Sequence, residues 1–166
     1  MSHELKKGIW KREPNRGEEL EGKTVGLIGY GNTGKALARK LKGFDVKVLC
    51  YDIQPNVGDT FAKQVSLNTL QKEADIISLH VPETPLTTPI INDAFINAVA
   101  KPFWLINTAR GKNVVTKDLI DGLKKNKVKG ACLDVLEYEK SSFEQAELNQ
   151  DELTYLLSSE KVILSP

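Results

Sequence analysis

The sequence predicts an α/β fold, in which a mostly parallel β-sheet is covered by helices on both faces. Three observations predict this fold class. Short β-rich runs alternate with helical patterns, the runs are almost continuously apolar, and a glycine-rich turn separates the first run from the first helical pattern. Continuous apolar runs are typical of parallel strands that are buried on both faces. The 166 residues are enough for one core, so we expect one doubly wound domain in three layers, α/β/α.

The strand candidates are the short runs rich in β-branched residues. They cover residues 24–28, 46–51, 76–80, 103–107, 130–134 and 162–164. Residues 1–20 are polar and basic and lack a sustained period, so they are predicted to form an arm or linker. Residues 21–166 are predicted to form the folded domain.

The first helix is predicted between the first two strand candidates. Leu37, Leu41 and Phe44 are spaced i, i+4 and i+7, which places them on one helix face. Gly43 is the predicted helix terminator.

A later helix is predicted over residues 117–126. Thr116 precedes it and is of a residue type that caps helix N-termini through its hydroxyl. Leu119, Ile120 and Leu123 are spaced so that they face the sheet together.

The glycine-rich turn reads Gly-Tyr-Gly-Asn-Thr-Gly, a G-x-G-x-x-G pattern. Gly29 permits a tight turn, Gly31 lets the backbone approach a pyrophosphate, and Gly34 lets helix and strand pack closely. The N–H groups at the helix N-terminus, where Asn32 and Thr33 lie, then face the phosphates. Thr33 stands where an apolar residue is more common, so we expect it either to touch phosphate or to pack. With its strand and helix, the turn predicts a Rossmann-type dinucleotide site.

The second strand candidate leads to Asp52, which lies 18 residues beyond Gly34. A carboxylate there can accept hydrogen bonds from both ribose hydroxyls of adenosine, and it repels the extra phosphate of NADP. Ile53, rather than an arginine, follows it. NAD is therefore the predicted cofactor. The alternative is that Asp52 only ends a strand and is solvated.

Five stretches, in order from about Trp10 onward, resemble the D-2-hydroxyacid dehydrogenase family. They are residues 15–20 with 22–26, the glycine turn with Asp52, residues 80–87, residues 105–111 and residues 130–139. Within the family, residues 51–53 and 80–83 are most similar to the phosphoglycerate dehydrogenases. The resemblance implies hydride transfer between NAD and C2 of a 2-hydroxy or 2-oxo acid. It also implies a homodimer formed through this domain, to which arm residues such as Trp10 contribute.

The resemblance assigns roles to single residues. Arg110 is implied to bind substrate, since a planar guanidinium can grip a carboxylate and polarise a carbonyl at any working pH. Glu139, 29 residues later, is implied to pair with a catalytic histidine, and Asp134 to hold the nicotinamide carboxamide. Further cofactor contacts are implied at Ile53, His80, Val81, Pro82, Thr87, Thr108 and Ala109. The plainer alternatives are a surface arginine and a solvated loop carboxylate.

The resemblance also implies parts of an enzyme that we expect to be missing here. The family's general acid is a histidine after a Ser-Pro or Thr-Pro dipeptide, and this sequence ends at Ser165-Pro166. His3 lies in the arm and His80 closes a strand candidate, so neither is expected to replace it. The substrate lobe and the returning C-terminal helices are expected to be absent as well. We therefore expect a fragment that binds NAD but does not turn over 2-oxo acids.

Charge and cysteine usage exclude several other classes. The net charge is +1 and the basic residues are dispersed, so neither nucleic acid nor a membrane surface is an expected partner. Cys50 and Cys132 lie in apolar runs without metal-like spacing, so we expect buried thiols and no metal site. No apolar run approaches about 18 residues, and no signal peptide is evident at the N-terminus. A cytoplasmic location is predicted.

Two other function classes remain as alternatives. A corepressor of the same fold would bind NAD as a ligand that promotes dimerisation, and such proteins also keep the arginine and the glutamate. A methyltransferase would bind S-adenosylmethionine at the glycine turn, but it would leave Arg110 and Glu139 without a role.

Overall fold

The computed structural model describes residues 7–9, 17–137 and 150–165. Within these residues the chain forms a sheet of seven parallel strands in the order β3-β2-β1-β4-β5-β6-β7. The strands are β1 (Thr24–Ile28), β2 (Lys47–Tyr51), β3 (Lys63–Gln64), β4 (Ile76–Leu79), β5 (Phe103–Asn107), β6 (Val128–Leu133) and β7 (Val162–Leu164). The predicted doubly wound parallel sheet is confirmed.

All six strand candidates form strands, with ends that differ from the prediction by at most two residues. β6 begins at Val128 and ends at Leu133, whereas residues 130–134 were predicted. β4 ends at Leu79, so His80 lies just beyond it. β3 was not predicted, because its two residues are polar and form no apolar run.

Helices cover the two faces of the sheet. They are α1 (Asn32–Leu41), α2 (Leu67–Glu73), α3 (Asp93–Ala98), α4 (Thr116–Lys124) and α5 (Gln150–Ser158). Successive residues of β1 belong to different hydrophobic clusters. Leu27 packs in the cluster that contains residues of α1, and Ile28 packs in the cluster that contains residues of the other four helices. The three-layer arrangement thus follows from strands that are apolar on both sides.

The end of the first helix differs from the prediction. Leu41 is buried, as expected, but α1 stops there and a short 3₁₀ turn, Lys42–Phe44, follows. Phe44 is therefore out of phase with the helix face and is 53% exposed. Gly43 does not terminate the helix; the residue in the left-handed conformation is Asp45, with φ 50°. Both predictions were wrong because the α-helix ends at Leu41, before the 3₁₀ turn that contains Gly43 and Phe44.

Thr116 does not cap α4, which is a second correction. It is the first residue of the helix, and no side-chain cap is formed at Val115 before it. Instead, the Thr116 N–H donates to the carboxylate of Glu137 at 2.7 Å, a contact that spans 21 residues of sequence. The predicted inward face is confirmed, since Leu119 and Leu123 are both buried.

The α1 face of the sheet is less covered around β5 and β6. Trp104 of β5 is 36% exposed there. A cavity of about 390 Å³ lies beside Trp104 and is bounded by Asp75 and Pro102, which precede β4 and β5. The cavity extends along this face of the sheet to Ile106 and Cys132, and no residue of the glycine turn lines it.

Cys50 is buried, as predicted, and burial raises the pKa of its thiol to about 11. Cys132 is only partly buried, and burial raises its pKa as well. Across the described ranges, no helix is both long and apolar enough to cross a bilayer. Most of the predicted arm, with Trp10 and His3, lies outside the described residues, as does Glu139.

Candidate functional site

The candidate site lies where the strand order reverses, between β1 and β4. In sheets of this kind the crevice at the carboxyl ends of such a strand pair is where ligands bind. β1 ends at Ile28 and leads into the glycine turn, and β4 ends at Leu79 and leads into His80. Two predicted motifs that are far apart in sequence therefore begin side by side.

The three glycines of the turn are required for three different reasons. Gly29 has φ 91°, and a Cβ there would lie 2.6 Å from the carbonyl oxygen of His80. A Cβ on Gly34 would overlap the carbonyl oxygen of Gly29, so this glycine lets α1 pack close to the turn. At Gly31 a Cβ would meet no atom within 4 Å. The turn is thus closed behind Gly29 and Gly34 and open in front of Gly31.

The N-terminus of α1 opens onto that space. Gly31 is the N-cap residue, with extended backbone and no side chain to cap the helix, and the first turn contains no acidic residue. Thr33 in the first turn is exposed and does not pack in the core. Uncapped N–H groups and the helix dipole make such an end favourable for an anion.

Asp52 follows β2 and is tied to the glycine turn. Its Oδ2 accepts a hydrogen bond from the backbone N–H of Tyr30 at 2.7 Å, and its Oδ1 accepts one from Gln54 N–H at 2.9 Å. The carboxylate is half-buried. A carboxylate has about four lone-pair sites, so both oxygens retain acceptor capacity for hydroxyl groups. Asp52 is therefore a fixed acceptor rather than a freely solvated strand end.

Tyr30 links the glycine turn to the loop that follows β2. Its side chain is almost fully buried, and its hydroxyl donates to Asp59 at 2.8 Å. Burial and the Asp59 carboxylate raise the pKa of Tyr30. The N–H of Phe61, followed by the Tyr30 hydroxyl, lowers the pKa of Asp59. This pair could not be predicted from the sequence, because the partners lie 29 residues apart and share no periodic pattern.

A cavity of about 410 Å³ opens beside Asp52. Its walls are largely apolar, and Ile53 and Leu86 at its edge are 66% and 74% exposed. The predicted residues that line it are Gly29, Gly31, Asp52, Ile53, His80, Val81, Pro82 and Thr87. An apolar slot with a fixed carboxylate at one side suits a flat base attached to a sugar.

A second cavity, of about 300 Å³, lies on the other side of His80. It brings together predicted residues from the glycine turn, from the end of β4 and from the end of β5: Thr33, His80, Val81, Pro82, Thr108, Ala109 and Arg110. Arg110 is exposed, and its Nη1 donates to the carbonyl oxygen of Ala109 at 2.6 Å. The guanidinium retains further N–H donors for an anionic ligand.

Asn107 holds the turn that presents Arg110. Its side chain is fully buried, its Nδ2 donates to the carbonyl oxygen of Arg110 at 3.0 Å, and its Oδ1 accepts from Ala109 N–H at 3.1 Å. Sequence reasoning did not single out Asn107. Its position at the end of a buried strand could have predicted such a role, because a buried amide side chain must form hydrogen bonds with nearby groups.

His80 separates the two cavities. Its Nε2 lies 3.0 Å from the Ser78 hydroxyl, and burial lowers the pKa of the imidazole. Burial therefore favours the neutral form of His80. Thr87, by contrast, uses its hydroxyl within its own loop, where it donates to the carbonyl oxygen of Pro82 at 2.5 Å.

Asp134 reaches the same edge of the sheet, although it lines neither cavity. Its N–H donates to the carbonyl oxygen of Asn107 at 2.9 Å, and its side chain is exposed. The chain then passes over Gly111, where a Cβ would overlap the carbonyl oxygen of Leu136. The segment that leads toward Glu139 thus runs next to Arg110.

The family model for the D-isomer specific 2-hydroxyacid dehydrogenase, NAD binding domain, matches residues 1–166. The chain belongs to this family. NAD is the cofactor of this D-2-hydroxyacid dehydrogenase domain, and the open space at Gly31 together with the fixed carboxylate of Asp52 fits a dinucleotide.

Two relatives show how far the similarity of this D-2-hydroxyacid dehydrogenase domain extends. A glyoxylate reductase of Thermofilum pendens is 41% identical over 148 residues, which cover 81% of this chain and 42% of that protein. A hydroxypyruvate reductase of Thermotoga maritima is 39% identical over 163 residues, covering 98% of this chain and 51% of that protein. The chain spans about half the length of these relatives or less.

A solved structure supports the fold directly. A D-lactate dehydrogenase with NAD⁺ from Lactobacillus jensenii is 32% identical and superposes with a TM-score of 0.84, covering 99% of this chain and 52% of that one. The similarity thus extends over the whole D-2-hydroxyacid dehydrogenase domain described above.

Proposed function

We propose that this chain binds NAD along the carboxyl edge of its sheet and serves as the cofactor domain of an NAD-dependent D-2-hydroxyacid dehydrogenase. One observation carries the proposal: the glycine turn is open in front of Gly31, and its Tyr30 N–H holds the Asp52 carboxylate. Phosphate and ribose sites are thereby fixed relative to each other before a ligand arrives.

The adenosine half is assigned to the larger cavity. The ribose hydroxyls donate to Asp52, and the base lies between the apolar walls that include Val81 and Ile53. The pyrophosphate lies at the N-terminus of α1, where Gly31 leaves room and Thr33 presents an exposed hydroxyl. The exposure of Thr33 supports a ligand contact rather than packing.

The nicotinamide half is assigned to the smaller cavity, between Thr33 and Thr108. Asp134, exposed at the end of β6, would accept a hydrogen bond from the nicotinamide carboxamide. NAD, when bound, accepts or supplies the hydride at this position. The chain's own residues orient the ring and keep His80 neutral beside it.

The substrate is a 2-hydroxy or 2-oxo acid held by Arg110. An exposed guanidinium at the mouth of the smaller cavity can bind the carboxylate by paired hydrogen bonds. Glu139 is proposed to orient a histidine that donates the proton to the carbonyl oxygen of the substrate. Glu137 is a poorer candidate, because its carboxylate already accepts from Thr116 N–H. His80 is unsuited to this acid role, since burial favours its neutral form.

D-3-phosphoglycerate is our candidate substrate for the whole protein, supported by residues 51–53 and 80–83. A D-3-phosphoglycerate dehydrogenase of Haemophilus influenzae is 36% identical over 164 residues, covering 98% of this chain and 39% of that protein. Relatives named for glyoxylate and hydroxypyruvate are at least as similar. Turnover of all three acids by a protein that includes the substrate lobe tests the choice, and a preference for glyoxylate would overturn it.

Two further proposals concern this chain by itself. We infer that residues 21–166 alone bind NAD but do not turn over 2-oxo acids, so NADH oxidation by this chain would contradict the assigned roles. We also infer a homodimer formed through this domain, and light scattering that shows a monomer at high concentration would contradict it.

Cofactor affinity tests the central proposal. Isothermal titration calorimetry should show tighter binding of NADH than of NADPH, and Asp52→Ala should weaken NADH binding about tenfold or more, because a charge-assisted hydrogen bond is lost. Glu160→Ala, which removes an exposed carboxylate beside β7, is the matched control and should bind like wild type. Equal affinity of the wild-type chain for NADH and NADPH would refute the proposal.

A further inference from the structure

The loop between β2 and β3 carries Asp52 but contains little regular structure of its own. β3 pairs with β2 through only two residues, so backbone ladder bonds fix little of the loop. Asn56 adopts a left-handed conformation, with φ 58°. Another feature must therefore hold the loop in shape.

Asp59 holds the later part of the loop through Tyr30, Phe61 and Ala62, and the side chain of Gln64 in β3 holds the part next to Asp52. Its Nε2 donates to the carbonyl oxygen of Gln54 at 2.7 Å and lies 3.5 Å from that of Asp52. Its Oε1 accepts from the N–H of Val57 at 2.9 Å. Both ends of the amide are thus bound to backbone groups of the loop, on either side of Asn56.

These bonds reach the Asp52 carboxylate through a single residue. Gln54 is held by Gln64 at its carbonyl, and its own N–H donates to Oδ1 of Asp52 at 2.9 Å. The other carboxylate oxygen is fixed by Tyr30 N–H. Two backbone N–H groups thus set the direction of the carboxylate, and Gln64 supports the one that belongs to Gln54.

We infer that Gln64 is a positioning residue that sets the preference of this domain for NADH over NADPH. Discrimination depends on a carboxylate held where the 2′-hydroxyl or the 2′-phosphate of the adenosine ribose must lie. When Gln64 no longer holds Gln54, the carboxylate turns away from the ribose more easily. NADH then loses a well-directed acceptor and NADPH meets less repulsion. The inference rests on the proposed role of Asp52.

Gln64→Met tests this, because methionine has a similar shape and makes none of these hydrogen bonds. Calorimetry should show the ratio of NADPH to NADH dissociation constants falling about fivefold, the effect of one lost hydrogen bond. Gln150→Met in α5, beside the opposite edge of the sheet, is the matched control and should keep the wild-type ratio. Gln64→Thr is a second variant, since threonine favours a strand but is too short to reach Gln54.

A double-mutant cycle with Asp52→Ala separates a positioning role from a purely structural one. If Gln64 acts through Asp52, Gln64→Met changes the ratio in the wild-type background and leaves it unchanged in the Asp52→Ala background. A ratio that Gln64→Met leaves at the wild-type value, or changes equally in both backgrounds, overturns the inference. If Asp52→Ala alone does not change the ratio, the proposed function of Asp52 fails instead, and the two failures are thereby distinguished.

Discussion

Gly31 and Gly34 lie three residues apart in one turn, yet their missing side chains serve different purposes. A Cβ on Gly34 would overlap the Gly29 carbonyl oxygen, whereas a Cβ on Gly31 would meet no protein atom within 4 Å. The fold of the turn requires a glycine at position 34, whereas at position 31 we propose that the glycine leaves room for a ligand. Alanine substitutions at the two positions can therefore distinguish an effect on stability from an effect on ligand binding.

Gly34→Ala should therefore destabilise the chain by about 1–3 kcal/mol, since the added methyl group forces α1 away from the turn. Gly31→Ala should destabilise the chain by no more than about 1 kcal/mol, the effect of alanine at an N-cap position, and should weaken NADH binding at least tenfold. Urea unfolding and calorimetry measure the two effects. Strong NADH binding by Gly31→Ala would show that no phosphate lies at this point.

The Tyr30 hydroxyl is a second residue-scale feature with a testable effect. It joins the glycine turn to Asp59 in the loop after β2, and it is almost fully buried. Tyr30→Phe should lower the melting temperature by about 2–4 °C, because one hydrogen bond is lost. Tyr155→Phe is the matched control, as Tyr155 packs its ring under Lys124 and should not need its hydroxyl. Equal melting temperatures for Tyr30→Phe and wild type would contradict this.

At the scale of elements, α4 begins in a way that links two parts of the site. Its first N–H donates to Glu137, which belongs to the segment that passes over Gly111 beside Arg110. A carboxylate at a helix N-terminus also interacts favourably with the helix dipole. The start of α4 and the path of the chain toward Glu139 are therefore stabilised by the same contact.

Glu137→Ala should destabilise the chain by about 0.5–2 kcal/mol, as removal of an N-terminal cap does. Thr116→Val should have a smaller effect, because the Thr116 hydroxyl does not cap the helix. Chemical denaturation of both variants gives the comparison. A larger loss in Thr116→Val than in Glu137→Ala would restore the capping role that the sequence predicted for Thr116.

These elements also show what the sequence could and could not predict. Continuous apolar runs predicted every strand except β3, and the three glycines with Asp52 predicted a turn and a carboxylate that lie together at the carboxyl edge of the sheet, because these signals are local. The contacts of Gln64, Asn107 and Glu137 were missed. Each joins a side chain to a backbone group that a turn or crossover brings near, and such contacts leave no periodic pattern. Glu139 lies outside the described residues, so its pairing with a histidine stays a prediction.

For the whole molecule, two sets of titrating groups shape the dependence of stability on pH. Burial lowers the pKa of His80 below its ordinary value of 6.5. Hydrogen bonds and ion pairs lower the pKa values of Asp59 and Asp75 below 3.8 and that of Glu18 below 4.5. In each case the unfolded chain takes up the proton first as the pH falls, so acid favours unfolding. The two sets act in different pH windows.

The imidazole of His80 is neutral in both states only well above its ordinary pKa of 6.5, and its contribution to stability decreases as the pH falls from about 6.5 toward the lowered pKa of the folded state. The melting temperature should therefore decline between pH 7 and pH 5, before the carboxylates protonate. His80→Gln keeps a polar group near the Ser78 hydroxyl but cannot take up a proton, so it should flatten the decline in this window and leave the steeper loss below about pH 4.5 unchanged. His3→Gln, at the only other histidine of the chain, should retain the wild-type profile. Scanning calorimetry at half-unit pH steps measures all three profiles. If the melting temperature of His80→Gln declines as steeply as that of wild type between pH 7 and pH 5, the His80 imidazole is not the group that couples folding to pH in this window.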